Sequence, residues 1–227
     1  MERWHALGNV YLLTTAELTE EDVRALVSDA DGIVQVVASG ADWAEVVIWN
    51  PDGSTAEMSG NATRIAARWL ANETGATSVA VRVGEREVCA RILDDVEIEQ
   101  DLGSVEVGEP EEIDGLRVTR VSVGNPHAVV IGDPADIVRI GPLLEAHPRF
   151  PQRTNVQVAR VDDDGGVTAR VWERGVGETS ASGTSAVAVA AATHGDGRVV
   201  VRFPGGDLHV ALEGGRATVT GPAQRLD

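Results

Sequence analysis

The sequence predicts an α+β protein, in the broader α/β class, made of two similar halves. Three observations carry that expectation. One stretch occurs twice, as NPDGSTAEMSGNATR at residues 50–64 and ERGVGETSASGTSA at residues 173–186. Other landmarks recur in the same order: Gly8-Asn9 answers Gly124-Asn125 at an offset of 116, Ser59-Gly60 answers Ser182-Gly183 at 123, and Val79-Ala80-Val81-Arg82 answers Val199-Val200-Val201-Arg202 at 120. Short strand-like runs separated by turn residues fill most of the remaining chain. Near-constant offsets in a constant order mark a duplicated domain, and the period is too long for a solenoid.

Taken in order, residues 1–15 read as a strand with a bend at Gly8-Asn9, and Thr19 to Asp22 is close to a capping box opening a short helix through about Val27. Strands are expected at 33–38 and 44–49, followed by the turn Asn50-Pro51-Asp52-Gly53. The first motif helix is expected over 61–72, with Ile65, Ala66, Trp69 and Leu70 facing the core and Gly75 as its stop. Strands at 78–83, 87–93 and 96–100 close the first half. Residues 103–115 are acidic and turn-rich and read as a linker, which divides the chain into 1–110, carrying Ser-Gly-Asn, and 111–227, carrying Ser-Gly-Thr. The second half reads as strands at 116–123 and 128–131, short helical pieces at 133–140 and 142–146, and strands at 155–160 and 167–173. The second motif helix is expected over 183–193, before strands at 199–203, 208–212 and 217–220. Pro204-Gly205-Gly206-Asp207 reads as a hairpin turn.

Composition narrows the function. The chain has 227 residues, 43% hydrophobic and 24% charged, in the globular range. A net charge of −17 repels nucleic acid and anionic membranes; it suits a salt-adapted proteome and also solubility. No apolar run approaches the roughly 20 residues of a membrane helix, and MERWHALGN has no signal-peptide core, so a soluble, cytoplasmic protein is expected. All 19 basic residues are arginine. Without lysine, neither pyridoxal phosphate nor any other lysine Schiff-base chemistry can be anchored. The single cysteine, Cys89, excludes an internal disulfide and reads as a small buried residue of a strand. The five histidines are scattered and form no metal-ligand spacing, so no metal is expected. His5 and His127 each sit near a Gly-Asn, where a structural role is the default.

The chemistry concentrates at the repeated motif. Ser followed by Gly and helix formers marks a helix N-terminus, whose first amides lack partners inside the helix and whose dipole favours an anion. Taken singly, each is an ordinary Ser N-cap. Taken as a pair from a duplicated fold, they predict two helix ends converging on a cleft that clamps a carboxylate. Neutral hydrogen-bonding groups gather near the motifs: Asn9, Asn50, Asn61, Asn125, Asn155 and Thr184. The pair Glu173-Arg174 suits an amino-acid head group, Arg for a carboxylate and Glu for an ammonium. An adjacent solvated pair on a strand is the plain alternative.

The chain resembles the diaminopimelate epimerase family over nearly its whole length. The matching segments are His5-Ala6-Leu7-Gly8-Asn9, Asn50-Pro51-Asp52-Gly53-Ser54, Gly60-Asn61-Ala62-Thr63-Arg64, Gly124-Asn125-Pro126-His127, Arg153-Thr154-Asn155-Val156, Glu173-Arg174-Gly175-Val176-Gly177-Glu178-Thr179 and Pro204-Gly205-Gly206-Asp207-Leu208. The resemblance implies two pseudo-symmetric halves, each a curved, mainly antiparallel sheet around a central helix. It implies a cofactor-independent isomerase interconverting the LL and meso forms of diaminopimelate, in lysine and peptidoglycan precursor biosynthesis. The backbone amides of Gly60-Asn61 and Gly183-Thr184 would hold the carboxylate at the reacting carbon, with Asn9 and Asn125 at its border. Asn50, Asn155, Glu173 and Arg174 would hold the distal head. The family moves its proton with two cysteines, and here both positions are serine, Ser59 and Ser182. A serine hydroxyl is a far weaker acid than a thiol of pKa about 8.5. The alternatives are an inactive amino-acid-binding homologue, or an isomerase or dehydratase on another amino-acid-like substrate. The expected partner is a small-molecule amino acid, with no nucleic acid and no membrane, and a homodimer is left open.

Overall fold

The structure, a computed structural model, describes residues 1–56 and 58–226. It is mixed α+β and mostly sheet, and it divides into two compact units. The first comprises Met1–Asp101 together with the residues from Thr220 on, and the second comprises Leu102–Val219.

In the first unit, β1 (Glu2–Ala6) and β2 (Asn9–Thr14) form an antiparallel hairpin. Leu7 (φ 51) and Gly8 (φ 81) both adopt left-handed conformations in its turn. The helix α1 (Glu20–Leu26) starts from a complete capping box, Thr19 accepting from the Asp22 amide and Asp22 accepting from the Thr19 amide. Then follow β3 (Gly32–Ser39), β4 (Trp43–Trp49), β5 (Thr55–Ala56), α2 (Gly60–Thr74), β6 (Ser78–Val83), β7 (Arg86–Ile92) and β8 (Glu97–Ser104). Helix α2 ends at Gly75, whose φ of 77 lets its amide reach back to the Ala71 carbonyl. Ala62, Ile65, Ala66, Ala67 and Leu70 of α2 are buried against residues of β1, β3, β4, β6 and β7. Polar Asn61, Thr63, Arg64 and Arg68 are buried too, so α2 is buried nearly all round, as befits a central helix.

The second unit repeats this plan. Its elements are β9 (Glu106–Val107), β10 (Glu111–Ile113), β11 (Leu116–Ser122), β12 (Pro126–Ile131), a 3-10 turn at Pro134–Asp136, α3 (Ile137–Glu145), β13 (Asn155–Val161), β14 (Val167–Glu173), β15 (Gly177–Thr179), α4 (Gly183–Thr193), β16 (Gly197–Phe203), β17 (Gly206–Glu213) and β18 (Arg216–Pro222). The pairings correspond one to one. Strand β2 is parallel to β3, β3 antiparallel to β4, β4 antiparallel to β5 and parallel to β6, and β6 antiparallel to β7. In the second unit β12 is parallel to β13, β13 antiparallel to β14, β14 antiparallel to β15 and parallel to β16, and β16 antiparallel to β17. Every α4 residue from Gly183 to Ala191 is buried. The last strand, β19 (Gln224–Leu226), pairs with β1 and so belongs to the first unit.

Three features depart from the sequence expectations. Residues 103–115 are not an open linker: β8 extends through Ser104, and β9 and β10 pair with β11. The charge there is met locally, since Arg149 donates twice to Glu111. Cys89 is exposed, not buried. It sits between buried Val88 and Ala90 on β7, and the two-residue period of a strand turns it to the outer face. Helix α3 runs unbroken through Pro142. Gly141 precedes that proline and has no Cβ to clash with its ring; a Cβ there would lie 2.7 Å from the Trp172 side chain.

Candidate active site

In the first unit the site is built on the N-terminus of α2. Ser59 is extended (φ −142, ψ 120), and its Oγ accepts from the Ala62 amide at 3.2 Å. The Tyr11 phenol oxygen lies 3.2 Å from the same Oγ. Register fixes that tyrosine: Tyr11 of β2 sits opposite Gly32 of β3. A Cβ at Gly32 would stand 3.0 Å from the Tyr11 ring and 2.4 Å from the Trp49 carbonyl, so glycine is what admits the ring. Asn9, which opens β2, and Asn61, in the first turn of α2, are both buried.

Behind Asn61 lies a fully buried cation, Arg64. Its guanidinium donates to Asn61 Oδ1, to Gln100 Oε1 at 3.2 Å and to the Pro222 carbonyl at 3.4 Å, all neutral acceptors. Burial lowers its pKa to about 10, while Glu97 and an ionised Tyr11 push it back up, so Arg64 is charged at neutral pH. Gln100 also donates to Thr63 Oγ1 at 2.8 Å. Asn50 stands at the end of β4, where its side chain donates to Ser54 Oγ at 3.0 Å within its own turn.

The second unit carries a longer hydrogen-bonded run. Ser182 is extended (φ −146, ψ 129) at the start of α4, yet its side chain makes no capping hydrogen bond. Thr184, in the first turn, accepts from Asn125 Nδ2 at 3.4 Å. His127 Nε2 lies 2.9 Å from Asn125 Oδ1, and Gln157 Nε2 lies 3.0 Å from His127 Nδ1. Gln157 Nε2 can only donate, so His127 Nδ1 accepts and its Nε2–H donates to Asn125. Burial lowers the His127 pKa to about 3, which keeps this one neutral tautomer. Gln157 also donates to Ser185 Oγ of α4 at 2.9 Å.

The run continues into the strands. Asn155 Nδ2 donates to the Pro126 carbonyl at 3.0 Å, and its Oδ1 accepts from the Arg174 amide at 3.0 Å. Arg174 Nη1 donates to the Gln152 carbonyl at 3.3 Å. Burial raises the pKa of Glu173, opposed by a 2.5 Å hydrogen bond from Thr179. Buried Glu145 ties down the flanking loops: it accepts from Trp172 Nε1 at 2.8 Å and the Gly175 amide at 2.6 Å, and pairs with Arg153 at 2.6 Å.

Two hydrogen-bonded sets thus flank Asn125-Pro126: Thr184 with Asn125 on one side, and Arg174 with Asn155 and the Pro126 carbonyl on the other, with Glu173 next in sequence to Arg174. In the first unit Gly60 and Asn61 follow Ser59 directly, whereas Asn50 bonds within its own turn. Reasoning from sequence missed Tyr11, Arg64, Gln157 and Glu145. Tyr11 had a signal: it and His127 each stand two residues after the asparagine of the recurring Gly-Asn.

Among the described residues no helix is long and apolar enough to cross a membrane. The chain superimposes on a hydroxyproline epimerase from Agrobacterium vitis with a TM-score of 0.71, at 16% identity over 99% of this chain and 88% of that one. A phenazine biosynthesis protein of the PhzF family from Enterococcus faecalis gives a TM-score of 0.73, at 12% identity over 100% and 96%. These show a shared fold. A profile for diaminopimelate epimerase matches residues 119–226. The diaminopimelate epimerase of Desulforudis audaxviator is 35% identical over 99% of this chain and 96% of its own length, and that of Moorella thermoacetica is 36% identical over 97% and 95%. With relatives this similar across almost its entire length, the chain belongs to the diaminopimelate epimerase family.

Proposed function

We propose that this chain is a cofactor-independent epimerase of diaminopimelate, interconverting the LL and meso forms on the route to lysine and peptidoglycan precursors. In this reading the amides of Gly60-Asn61 and Gly183-Thr184 receive the carboxylate of the reacting carbon, bordered by Asn9 and Asn125. The first-turn amides and the positive dipole ends of two helices stabilise the extra charge that builds on that carboxylate when the α-proton leaves. Asn50, Asn155, Glu173 and Arg174 take the distal amino-acid head. Ser59 and Ser182 occupy the two acid/base positions. The observation that supports the reading most is the pair of hydrogen-bonded sets on either side of Asn125-Pro126, Thr184 with Asn125 and Arg174 with Asn155 and the Pro126 carbonyl. The Asn125-Pro126 backbone and the pairing of β12, β13 and β14 join these two sets, which supports a defined spacing between a residue assigned to the reacting end and one assigned to the distal end. An ammonium arriving at Glu173 favours the ionised carboxylate that burial disfavours, so the charge there is completed by substrate.

The test is incubation with the LL isomer in deuterium oxide. Deuterium at the α-carbon together with appearance of the meso form is expected; no deuterium after prolonged incubation sinks the reading. One observation favours a second reading, an inactive diaminopimelate-binding homologue. Ser182 makes no capping hydrogen bond at its helix start, whereas Ser59 is held by Tyr11 and the Ala62 amide. Calorimetry showing saturable diaminopimelate binding without exchange would select it.

A further inference from the structure

We propose that Tyr11 is the proton-relay partner of the first unit, exchanging a proton with the substrate α-carbon through the Ser59 hydroxyl. This rests on the epimerase reading for its substrate, but its physical basis lies within one unit. The phenol oxygen and Ser59 Oγ are 3.2 Å apart. The other bond at that Oγ comes from the Ala62 amide, which fixes the hydroxyl at the helix start. A serine alone has no means of becoming a base near neutrality; a phenol hydrogen-bonded to it supplies one.

The surroundings suit a phenol that changes charge. Arg64 of α2 is a buried cation whose hydrogen-bond acceptors among the described residues are neutral. An ionised Tyr11 favours charged Arg64, and by the reciprocity of any pairwise charge interaction Arg64 favours ionised Tyr11. Glu97 of β8 is the other charge acting on Arg64. Gly32 of β3 leaves room for the ring, since a Cβ there would stand 3.0 Å from it.

The step balances. As the substrate Cα–H bond breaks, Ser59 Oγ takes that proton and gives its own to the Tyr11 phenolate. The Tyr11 O–H bond forms, the serine is regenerated, and the electron pair passes from carbon into the carboxylate as an enolate. The negative charge has then moved from the phenolate to the substrate carboxylate, which the positive end of the helix dipole favours. The reverse passage returns a proton to the same face.

Tyr11 is the sole tyrosine of the chain, so tyrosinate absorbance in the near ultraviolet reports on it alone. In the native protein the absorbance should develop at lower pH than in the same chain under denaturant. Development at the same or higher pH overturns the proposal. With diaminopimelate in deuterium oxide, Tyr11→Phe should lower α-exchange at least ~100-fold, the low end for one positioned acid–base group. Its binding of diaminopimelate by calorimetry should stay within about threefold of the parent, far below the effect of losing a relay. The parent exchange rate should rise with pH along the tyrosinate titration. A Tyr11→Phe variant that exchanges as fast as the parent also overturns the proposal. A parent that exchanges nothing overturns the epimerase reading and the relay together, whereas a parent that exchanges with a Tyr11→Phe variant keeping pace overturns the relay alone.

Discussion

The two units share a sheet order and a central helix but differ in what they bury. Tyr11 and His127 occupy matched positions after their Gly-Asn, yet Tyr11 bonds to the serine at its helix start and His127 bonds away from its own, to Asn125 and Gln157. Four residues beyond each motif glycine, α2 carries a buried arginine, Arg64, where α4 carries Val187. The first unit keeps a buried cation and a pair of hydroxyls within hydrogen-bond distance. The second keeps a neutral imidazole that orients an amide. Duplication preserved the backbone plan and let the buried polar groups diverge, so sheet pairing and acid–base chemistry are separable properties of this fold.

The largest effect expected from that difference is in the pH dependence of stability. His127 has a folded pKa of about 3, below its unfolded value of about 6.5. The unfolded chain therefore binds the extra proton first, so stability is complete above about pH 6.5 and falls between there and about pH 3. The loss is on the order of a few kcal/mol for a shift of this size. Denaturant titrations of the parent and His127→Gln at several pH values should show a shallower acid decline in the variant. Parallel declines would mean the imidazole is not held neutral.

Next in size is the pair of serines. Ser59→Cys combined with Ser182→Cys should exceed either single variant in epimerisation by at least ~100-fold, because inversion needs an acid and a base on opposite faces and only thiols gain a thiolate fraction near neutrality. Polarimetric or chromatographic assay of the LL-to-meso conversion measures it. If Ser59→Cys alone matched the double variant, the first unit would be carrying the chemistry by itself.

The smallest effect separates the two helix starts. Ser59 caps α2 and Ser182 does not cap α4. Ser59→Ala should cost about 1 kcal/mol of stability, whereas Ser182→Ala should cost only a few tenths. Equal costs in chemical denaturation would erase the structural asymmetry between them.

Much of this plan was legible in the sequence. Helix α4 spans the expected 183–193, and Gly75 stops α2 because a left-handed residue ends the helix. The capping box at Thr19 and the hairpin turn after Phe203 follow from local chemistry. What the sequence hid depends on partners far along the chain. Tyr11 meets Ser59 across 48 residues, and Gln157 meets Ser185 across 28. Nothing local in the sequence marks Arg64 as buried; its acceptors on Gln100 and Pro222 lie 36 and 158 residues away. Strand β19 has three residues and too short a pattern to register. Cys89 was misjudged because its strand alternates and its neighbours, not itself, face inward.

The pairing of β19 with β1 has a consequence for synthesis. Ala223 is fully buried in the first unit's core, and the Pro222 carbonyl accepts from Arg64. On a ribosome the first unit emerges early but lacks this strand until residues 220–226 follow, after all of 102–219 have been made. The vectorial order of translation therefore runs against the order of assembly: the second unit holds its complete set of strands before the first does. Until then the β1 edge awaiting β19 is unpaired, and a nascent chain stalled in that interval is where a chaperone, or a neighbouring chain's free edge, would find it.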